Sequence, residues 1–271
     1  MPCCDKPNDV PQKNESGLHR FSRTEMLIGK EGLNQLERER VAVIGLGGVG
    51  SYAVEALARA GIGWLILVDY DEICLTNTNR QIHALQGNYG RSKVEAVAER
   101  VKAINPDAVT VSWKEFLTPD NIETILHGRV SYVVDAIDTV SSKVALISYC
   151  LENGIPVISA MGTGNKLNPF ALKIDDISRT HTCPLAKAVR KVLRERGITQ
   201  GVKVIYSTET PAEVKTEVTT CHSGCICPHS DEQVYNCTKK RQIPASTSYL
   251  PPIAGMMMAG EVIQDLLKEE S

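Results

Sequence analysis

A short apolar run leads into a glycine-rich loop, and an alanine-rich segment at residues 51–60 follows it. The loop fits the pattern G-x-G-x-x-G at Gly45, Gly47 and Gly50. Glycines let a backbone come close to a phosphate, and the amino end of the following helix offers unpaired N–H groups. A second apolar run ends at Asp69, where a carboxylate can bond ribose hydroxyls. The pattern predicts a nucleotide site; a purely structural glycine turn is the alternative.

The same alternation of apolar runs and helical segments continues to residue 160. Apolar runs between helices are typical of strands that are buried on both faces. We therefore expect an α/β fold: a Rossmann-like, doubly wound, mostly parallel sheet with an irregular C-terminal extension. Of the 271 residues, we expect 1–17 to be a disordered tail and 18–271 to form a single domain. Its nucleotide-binding half would be 18–165 and its substrate and dimer half 166–271.

Apolar spacing and turn residues give expected bounds for the other elements. Short helices are expected within residues 19–40. The pattern then predicts helices at residues 93–104, 121–127, 140–153 and 184–196, and strands at residues 64–68, 109–113, 130–135, 156–160, 171–174 and 202–206.

Charge and cysteine content limit the environment and the partners. With 30 Lys and Arg against 32 Asp and Glu, the net charge is −2, so no global field favours nucleic acid or a membrane. Nine cysteines, an odd number, favour free thiols in a reducing cytoplasm. Residues 242–260 carry no charge but contain Pro251 and Pro252, so we expect a turn and then a buried helix at 253–268, not a membrane span.

Three charged residues indicate a triphosphate rather than a hydride carrier. Arg80 and Lys93 supply cations that can offset the charge of a leaving pyrophosphate. Asp138, placed after the fourth predicted strand, can hold Mg²⁺ against the phosphates. Taken singly, each has another interpretation: the two cations as solvated surface charges, and Asp138 as the amino cap of a helix.

These residues carry a resemblance to the ubiquitin-activating superfamily, whose bacterial members adenylate a carboxylate. Within it, residues 76–85 and 105–107 look most like the tRNA threonylcarbamoyladenosine dehydratases. The resemblance is strong over residues 18–160 and weaker over 242–267. The motifs that carry it are Gly45-Leu46-Gly47-Gly48-Val49-Gly50-Ser51, Asp69-Tyr70-Asp71, Asn77-Thr78-Asn79-Arg80-Gln81, Lys93 and Asp135-Ala136-Ile137-Asp138.

The resemblance implies ATP and Mg²⁺ as cofactors and leaves a monovalent cation open. It also implies a homodimer in which an amino-terminal arginine, Arg23 in preference to Arg20, reaches the partner's ATP; a surface arginine on a capping helix is the alternative. The implied catalytic residues are Arg23, Asn77, Arg80, Lys93 and Asp138. The implied nucleotide-binding residues are Gly45, Gly47, Gly48, Val49, Gly50, Asp69, Asp71, Asn77, Arg80, Lys93 and Asp138.

The implied reaction closes the threonylcarbamoyl group beside a tRNA anticodon into a ring. A carboxylate is a poor electrophile, so attack on the α-phosphate of ATP first converts it to an acyl adenylate. A neighbouring nitrogen of the same group then attacks the activated carbonyl, and proximity makes that step easy. The products would be AMP and pyrophosphate. The expected partner is tRNA carrying threonylcarbamoyladenosine, without a membrane, and a cysteine desulfurase or sulfur-acceptor system is left open.

Four cysteines form C-x3-C-x-C-x9-C in a loop at residues 218–240. Four thiolates could build a tetrahedral zinc site. The spacing differs from the paired C-x2-C motifs of the sulfur-carrier relatives, and Cys183 stands alone where the first pair would fall. One of the four could instead act as a thiolate nucleophile, or the loop could be a lid with reduced thiols. The candidate ligands are Cys221, Cys225, Cys227 and Cys237.

A basic stripe lies on the helix predicted at residues 184–196. Spacings of three and four put its cations along one helical face. A tRNA backbone needs such a stripe, and residues 239–241 could extend it; a solvated helix face is the alternative. The cations are Lys187, Arg190, Lys191 and Arg194, followed by Arg196.

Other functions remain open at this point. An adenylyltransferase that activates the C-terminal glycine of a ubiquitin-like sulfur carrier would share the ATP site, but the paired C-x2-C motifs are missing. A non-catalytic nucleotide-sensing scaffold would have no need of Arg80, Lys93 and Asp138 together. An NAD oxidoreductase would need a nicotinamide pocket.

Overall fold

A computed structural model describes residues 17–215 and 244–268. Over these residues, seven strands form one sheet. The strands are β1 (Arg40–Ile44), β2 (Trp64–Val68), β3 (Val109–Trp113), β4 (Tyr132–Asp135), β5 (Val157–Ala160), β6 (Leu172–Asp176) and β7 (Lys203–Ser207).

The helices alternate with these strands for most of the chain. Short 3-10 turns occur at Leu75–Asn77, Pro169–Ala171 and Ile177–Arg179. The α-helices are α1 (Ser22–Arg38), α2 (Gly50–Ala60), α3 (Lys93–Ile104), α4 (Ile122–Ile125), α5 (Val140–Glu152), α6 (Pro184–Glu195) and α7 (Leu250–Leu267).

The strand order is β3-β2-β1-β4-β5-β7-β6, and all the pairings are parallel except that of β6 with β7. The chain moves outward from β1 to β3 and then returns to place β4 on the other side of β1. Ile44 at the end of β1 is therefore in register with Val68 of β2 and Asp135 of β4. Ligands of doubly wound sheets bind where the strand order reverses, at the carboxyl ends of the strands.

The doubly wound, mostly parallel sheet confirms the fold that the sequence predicted. From α2 to β7, the predicted elements occur to within two residues at each end. In α1 the helix is interrupted at Gly29, whose φ is 76°, so the expected short helices are present. The C-terminal part contributes β6, α6 and β7, which extend the sheet.

One helix boundary was predicted wrongly. The last helix begins at Leu250, not at residue 253, and the proline pair lies in its first turn. The N–H groups of a first turn have no partner within the helix, so proline is tolerated there. None of the described helices is long and apolar enough to cross a bilayer.

The C-terminal helix α7 packs on α2, the helix that follows the glycine loop. At Gly255 of α7, a Cβ atom would lie 2.2 Å from the carbonyl oxygen of Val49. Only glycine permits so close an approach of the two backbones. Buried side chains of α2 and α7 share one core with β1 and β2, while α4 and α5 cover the other face of the sheet. The end of the chain thus supports the glycine loop.

Candidate functional site

The glycine loop lies at the carboxyl end of β1, where the strand order reverses. Gly45 has a φ of 89°, and a Cβ there would be 2.8 Å from the carbonyl oxygen of Ala136. At Gly50 a Cβ would lie 1.8 Å from the carbonyl oxygen of Gly45. The protein itself therefore requires these two glycines. At Gly47 the nearest atom to a Cβ is 3.8 Å away, so the protein leaves room at this position.

The remaining residues of the loop face the C-terminal helix and the loop that follows β2. A Cβ at Gly48 would lie 3.0 Å from Cβ of Pro251 and 3.2 Å from Cγ of Arg80. Val49 immediately precedes α2 and is half-buried. The glycine loop is therefore enclosed by α7 on one side and by Arg80 on the other.

Asp69 ties the end of β2 to the glycine loop. Its carboxylate accepts hydrogen bonds from the backbone N–H of Leu46, at 2.6 Å, and of Asp71, at 2.8 Å. Burial raises the pKa of Asp69, and the charge of Lys93 opposes that rise. A carboxylate has about four lone-pair positions, so two bonds leave room for ribose hydroxyls.

Lys93, at the start of α3, is buried and held by carboxylates. Its ammonium donates to Oδ2 of Asp71 at 2.7 Å and lies 3.9 Å from Oδ1 of Asp69. Only 4% of Lys93 is exposed, which excludes the interpretation as a solvated surface charge. Burial acts to lower the pKa of Lys93, but the two carboxylates outweigh it and raise that pKa above the usual lysine value.

Arg80 and Asn77 lie in the loop between β2 and α3. The guanidinium of Arg80 is half-buried and donates to the carbonyl oxygen of Thr76, at 3.0 Å, and to Oδ1 of Asn79, at 2.9 Å. Burial lowers the pKa of Arg80 from its ordinary value. Asn77 is buried, and its Oδ1 accepts the N–H of Cys74 at 3.0 Å. Asn77 thus shapes the turn that presents Arg80.

Asp138 is exposed in the loop between β4 and α5. Thr139, not Asp138, occupies the amino cap of α5. Asp138 therefore lies one residue before the cap position. Over residues 17–215 and 244–268, no group of three or more His, Cys, Asp and Glu could hold a metal ion. A nucleotide-bound Mg²⁺ needs only one or two carboxylates beside the phosphates and water, so a single exposed carboxylate fits such an ion.

The two candidate arginines of the amino-terminal segment differ in their contacts. Arg20 donates from Nη1 to the carbonyl oxygen of Ile104 at 2.9 Å, which fixes it to its own chain. Arg23 is exposed on α1. Met26 and Leu27, on the next turn, are 86% and 87% exposed. Arg23, the arginine preferred from the sequence, is therefore exposed and lies beside exposed apolar side chains.

The predicted basic stripe lies on α6. Lys187, Lys191 and Arg194 are exposed, whereas Arg190 donates to the carbonyl oxygen of Thr180 at 2.6 Å. The stripe thus has three solvent-facing cations and one that is bound to its own chain.

The family model for the ThiF family matches residues 21–271. The chain belongs to the ThiF family. It is 44% identical over 252 residues to the tRNA threonylcarbamoyladenosine dehydratase of Bacillus subtilis, an alignment that covers 93% of this chain and 96% of that protein.

The fold of this ThiF-family chain is similar to that in two solved structures of the tRNA N6-threonylcarbamoyladenosine dehydratase TcdA of Escherichia coli. The complex with ATP superposes with a TM-score of 0.78 at 33% identity, covering 94% of this chain and 96% of that one. The complex with AMP gives 0.79 at 32% identity, covering 96% and 98%.

The cysteine loop of this ThiF-family chain, residues 218–240, lies outside the described residues. The candidate zinc ligands Cys221, Cys225, Cys227 and Cys237 lie there, as do the basic residues 239–241 and the expected tail up to residue 16. The described cysteines Cys74, Cys150 and Cys183 are buried, and none of these three forms a disulfide.

Asn79 and His83 lie in the segment that carries the resemblance, but the sequence predicted no role or contact for either. Asn79 donates from Nδ2 to the carbonyl oxygen of Ser246 at 3.0 Å, linking the loop of Arg80 to the segment before α7. His83 is buried, and its Nε2 lies 3.1 Å from Oε1 of Gln81. Among the residues that the structure describes, its Nδ1 has no hydrogen-bond partner. Burial, helped by Lys93 and Arg100, lowers the pKa of His83 to about 3. A single histidine or asparagine in a loop gives no pattern from which such contacts could be predicted.

Proposed function

We propose that this chain is an ATP-dependent dehydratase that cyclises threonylcarbamoyladenosine in tRNA beside the anticodon. The observation that carries the proposal is the convergence of the glycine loop, Asp69, Arg80, Lys93 and Asp138 at the point where the strand order reverses. These residues suit a reaction in which pyrophosphate leaves a nucleoside triphosphate. The extensive similarity to dehydratases over nearly the whole chain supports this substrate class.

In the first step, a carboxylate oxygen of the threonylcarbamoyl group attacks the α-phosphorus of ATP and pyrophosphate leaves. Arg80 and Lys93 offset the negative charge that develops on the leaving group. In the second step, a nitrogen of the same group attacks the activated carbonyl, loses its proton and expels AMP. The carboxylate oxygen leaves with AMP, so the nucleoside loses one water overall.

Asp138 would hold Mg²⁺ against the phosphates. The metal would supply charge neutralisation on the phosphate oxygens. Asp69 orients the ribose, and the N–H groups of the glycine loop and of the first turn of α2 contact the phosphates. Nucleotide position is thus set by backbone and side chains from β1, β2 and β4.

We propose that the enzyme is a homodimer in which Arg23 reaches the ATP of the partner subunit. The exposure of Met26 and Leu27 beside Arg23 supports a contact surface here, since exposed apolar groups that cluster mark interaction sites. Arg20, bound to its own Ile104, would instead fix the base of this segment.

We infer that tRNA binds along α6. Residues 18–165 and 166–271 form one domain in this proposal, because β5 of the first half pairs with β7 of the second. The first half would then bind the nucleotide and the second would offer Lys187, Lys191 and Arg194 to tRNA phosphates. The reaction belongs in the cytoplasm, where ATP, tRNA and reduced thiols occur together.

The test uses the full chain with ATP, Mg²⁺ and tRNA that carries threonylcarbamoyladenosine. The nucleoside is followed by mass spectrometry after a mild, non-basic workup, and AMP is measured in parallel. Loss of one water with equal release of AMP is expected. If the mass is unchanged but a glycine-ended carrier protein stimulates ATP–pyrophosphate exchange, the chain is a sulfur-carrier adenylyltransferase instead.

A further inference from the structure

Three polar side chains form a closed, buried cluster at the carboxyl ends of β4 and β5. The ammonium of Lys143, on α5, donates to Oδ2 of Asp135 at 2.7 Å and to Oγ of Ser159 at 3.1 Å. The Ser159 hydroxyl donates to the same Oδ2 at 2.6 Å. All three residues have an exposed fraction of 0%. The cluster lies in the site region, yet no step of the reaction above uses it.

The cluster fixes the loop that carries the metal-binding carboxylate. Asp135 ends β4, and its other oxygen, Oδ1, accepts the N–H of Ile137 at 3.0 Å. The carbonyl oxygen of Ala136, between them, lies directly against Gly45. The turn that leads to Asp138 is therefore held by the carboxylate of Asp135 and by the contact of Ala136 with the glycine loop.

A buried ion pair is a weak means of stabilising a fold, because both charges must be removed from water. Apolar side chains of the same volume would fill this space at least as well. The pair instead fixes the orientation of a side chain. Lys143 and Ser159 bind Oδ2 of Asp135, so that Oδ1 is directed at the backbone N–H of Ile137. Such supporting bonds commonly orient the ligands of a metal.

We propose that Lys143 is a positioning residue for the Mg²⁺-binding carboxylate. Through Asp135 it holds residues 136–138 in the conformation in which Asp138 faces Mg²⁺ on the nucleotide. The inference rests on the ATP and Mg²⁺ site of the proposed function, but not on the identity of the tRNA substrate.

Calorimetric titration of the full chain with ATP, with and without Mg²⁺, tests this inference without turnover. The measured quantity is the ratio of the two ATP affinities. In Lys143→Met we expect that ratio to fall about tenfold, equal to about 1.4 kcal/mol, while ATP affinity without Mg²⁺ stays within about twofold. Ser159→Ala keeps the ion pair and should reduce the ratio by a smaller factor.

The matched control is Lys203→Met. Lys203 donates to Glu261 and Asp265 of α7, which covers the face of the sheet opposite to α5. Its loss affects stability without touching the loop of Asp138, so the Mg²⁺ ratio should be unchanged. If Lys143→Met does not fold, Ser159→Ala decides, since it removes only a hydroxyl.

An unchanged ratio in a folded Lys143→Met, or in Ser159→Ala when Lys143→Met does not fold, overturns the inference. So does a native protein that binds ATP equally well with and without Mg²⁺. Failure of the proposed function gives a different result. The tRNA nucleoside would then be unaltered, while Lys143→Met would still lower the ratio of ATP affinities with and without Mg²⁺.

Discussion

The ammonium of Lys93 donates to the carboxylate of Asp71 at 2.7 Å, although 22 positions separate the two residues. One residue follows β2 and the other begins α3. The contact places a buried cation at the carboxyl edge of the sheet before any nucleotide is present. The lysine that we propose binds phosphate is therefore also part of the folded structure.

Alanine substitutions of Arg80 and Lys93 should both lower turnover, but only the change at Lys93 should also lower the stability of the fold. Alanine at either position should lower turnover by about 10²- to 10³-fold, because each offsets charge on the leaving pyrophosphate. Lys93→Ala should in addition lower the free energy of unfolding by about 3–5 kcal/mol, since it leaves Asp69 buried beside no cation. Arg80, half-exposed, should leave stability nearly unchanged. AMP release and urea unfolding measure the two effects, with the exposed Lys102→Ala as control.

Gly47 and Gly50 should respond differently to alanine. Apart from its chain neighbours, no described residue has an atom closer than 3.8 Å to a Cβ at Gly47, so the fold of Gly47→Ala should persist. Its ATP affinity should fall, because the methyl group would occupy the space proposed for phosphate. Gly50→Ala brings a Cβ to 1.8 Å from a backbone oxygen and should prevent normal folding. Thermal melting and ATP titration distinguish the two. Full ATP affinity in Gly47→Ala would place the phosphates elsewhere.

His83 should make the fold sensitive to acid. Its pKa is lowered to about 3 in the folded chain, against about 6.5 when unfolded. The unfolded state therefore binds more protons between these values, and stability falls as the pH drops below about 6.5. From pH 6.5 to 5, His83 should account for a loss of about 1.6 kcal/mol, because the unfolded histidine is half protonated at pH 6.5 and almost fully protonated at pH 5.

Urea unfolding at the two pH values, with His83→Gln, measures that loss. The variant should lose less stability than the native protein over this interval. His127→Gln, a change at an exposed histidine, is the control and should behave like the native protein. Equal losses in His83→Gln and the native protein would mean that His83 is charged or solvated in the fold.

Charge reversal on α6 should weaken tRNA binding in a salt-dependent way. Lys187→Glu and Lys191→Glu should each reduce the slope of log affinity against log salt by about 0.9 per lost duplex phosphate contact. Arg190 is a poor probe, because it is bonded to Thr180 and its change would disturb the helix start. Filter binding over a salt series measures the slope, with the exposed Lys173→Glu on β6 as control. Unchanged slopes would make the helix an ordinary solvated surface.

Arg23 should act across a dimer. Arg23→Ala and Arg80→Ala should each be inactive alone, yet a remixed sample should recover about a quarter of native activity. Half of its molecules are heterodimers, and each of these has one site with an intact Arg80 and an intact Arg23 from the partner. The measurement is AMP release after subunit exchange. No recovery in verified heterodimers would assign Arg23 to its own subunit.

Local patterns predicted much of the fold and singled out the candidate residues of the site. The glycine loop, the alternation of apolar runs and the position of Asp69 each depend on neighbours within a few residues. The sequence also predicted Arg80, Lys93 and Asp138 as candidates, and the structure brings their loops to one edge of the sheet. Their roles toward ATP stay predictions that the experiments above test.

The sequence alone therefore determined the strand, turn and helix units and the chemistry they carry, because backbone preferences and side-chain period act locally. Only the tertiary structure decided that Lys143 and Ser159 enclose Asp135, that α7 supports the glycine loop, and that Arg190 turns inward to Thr180. Those contacts depend on the order of strands in the sheet and on the burial of charge, which join residues that no sequence spacing connects.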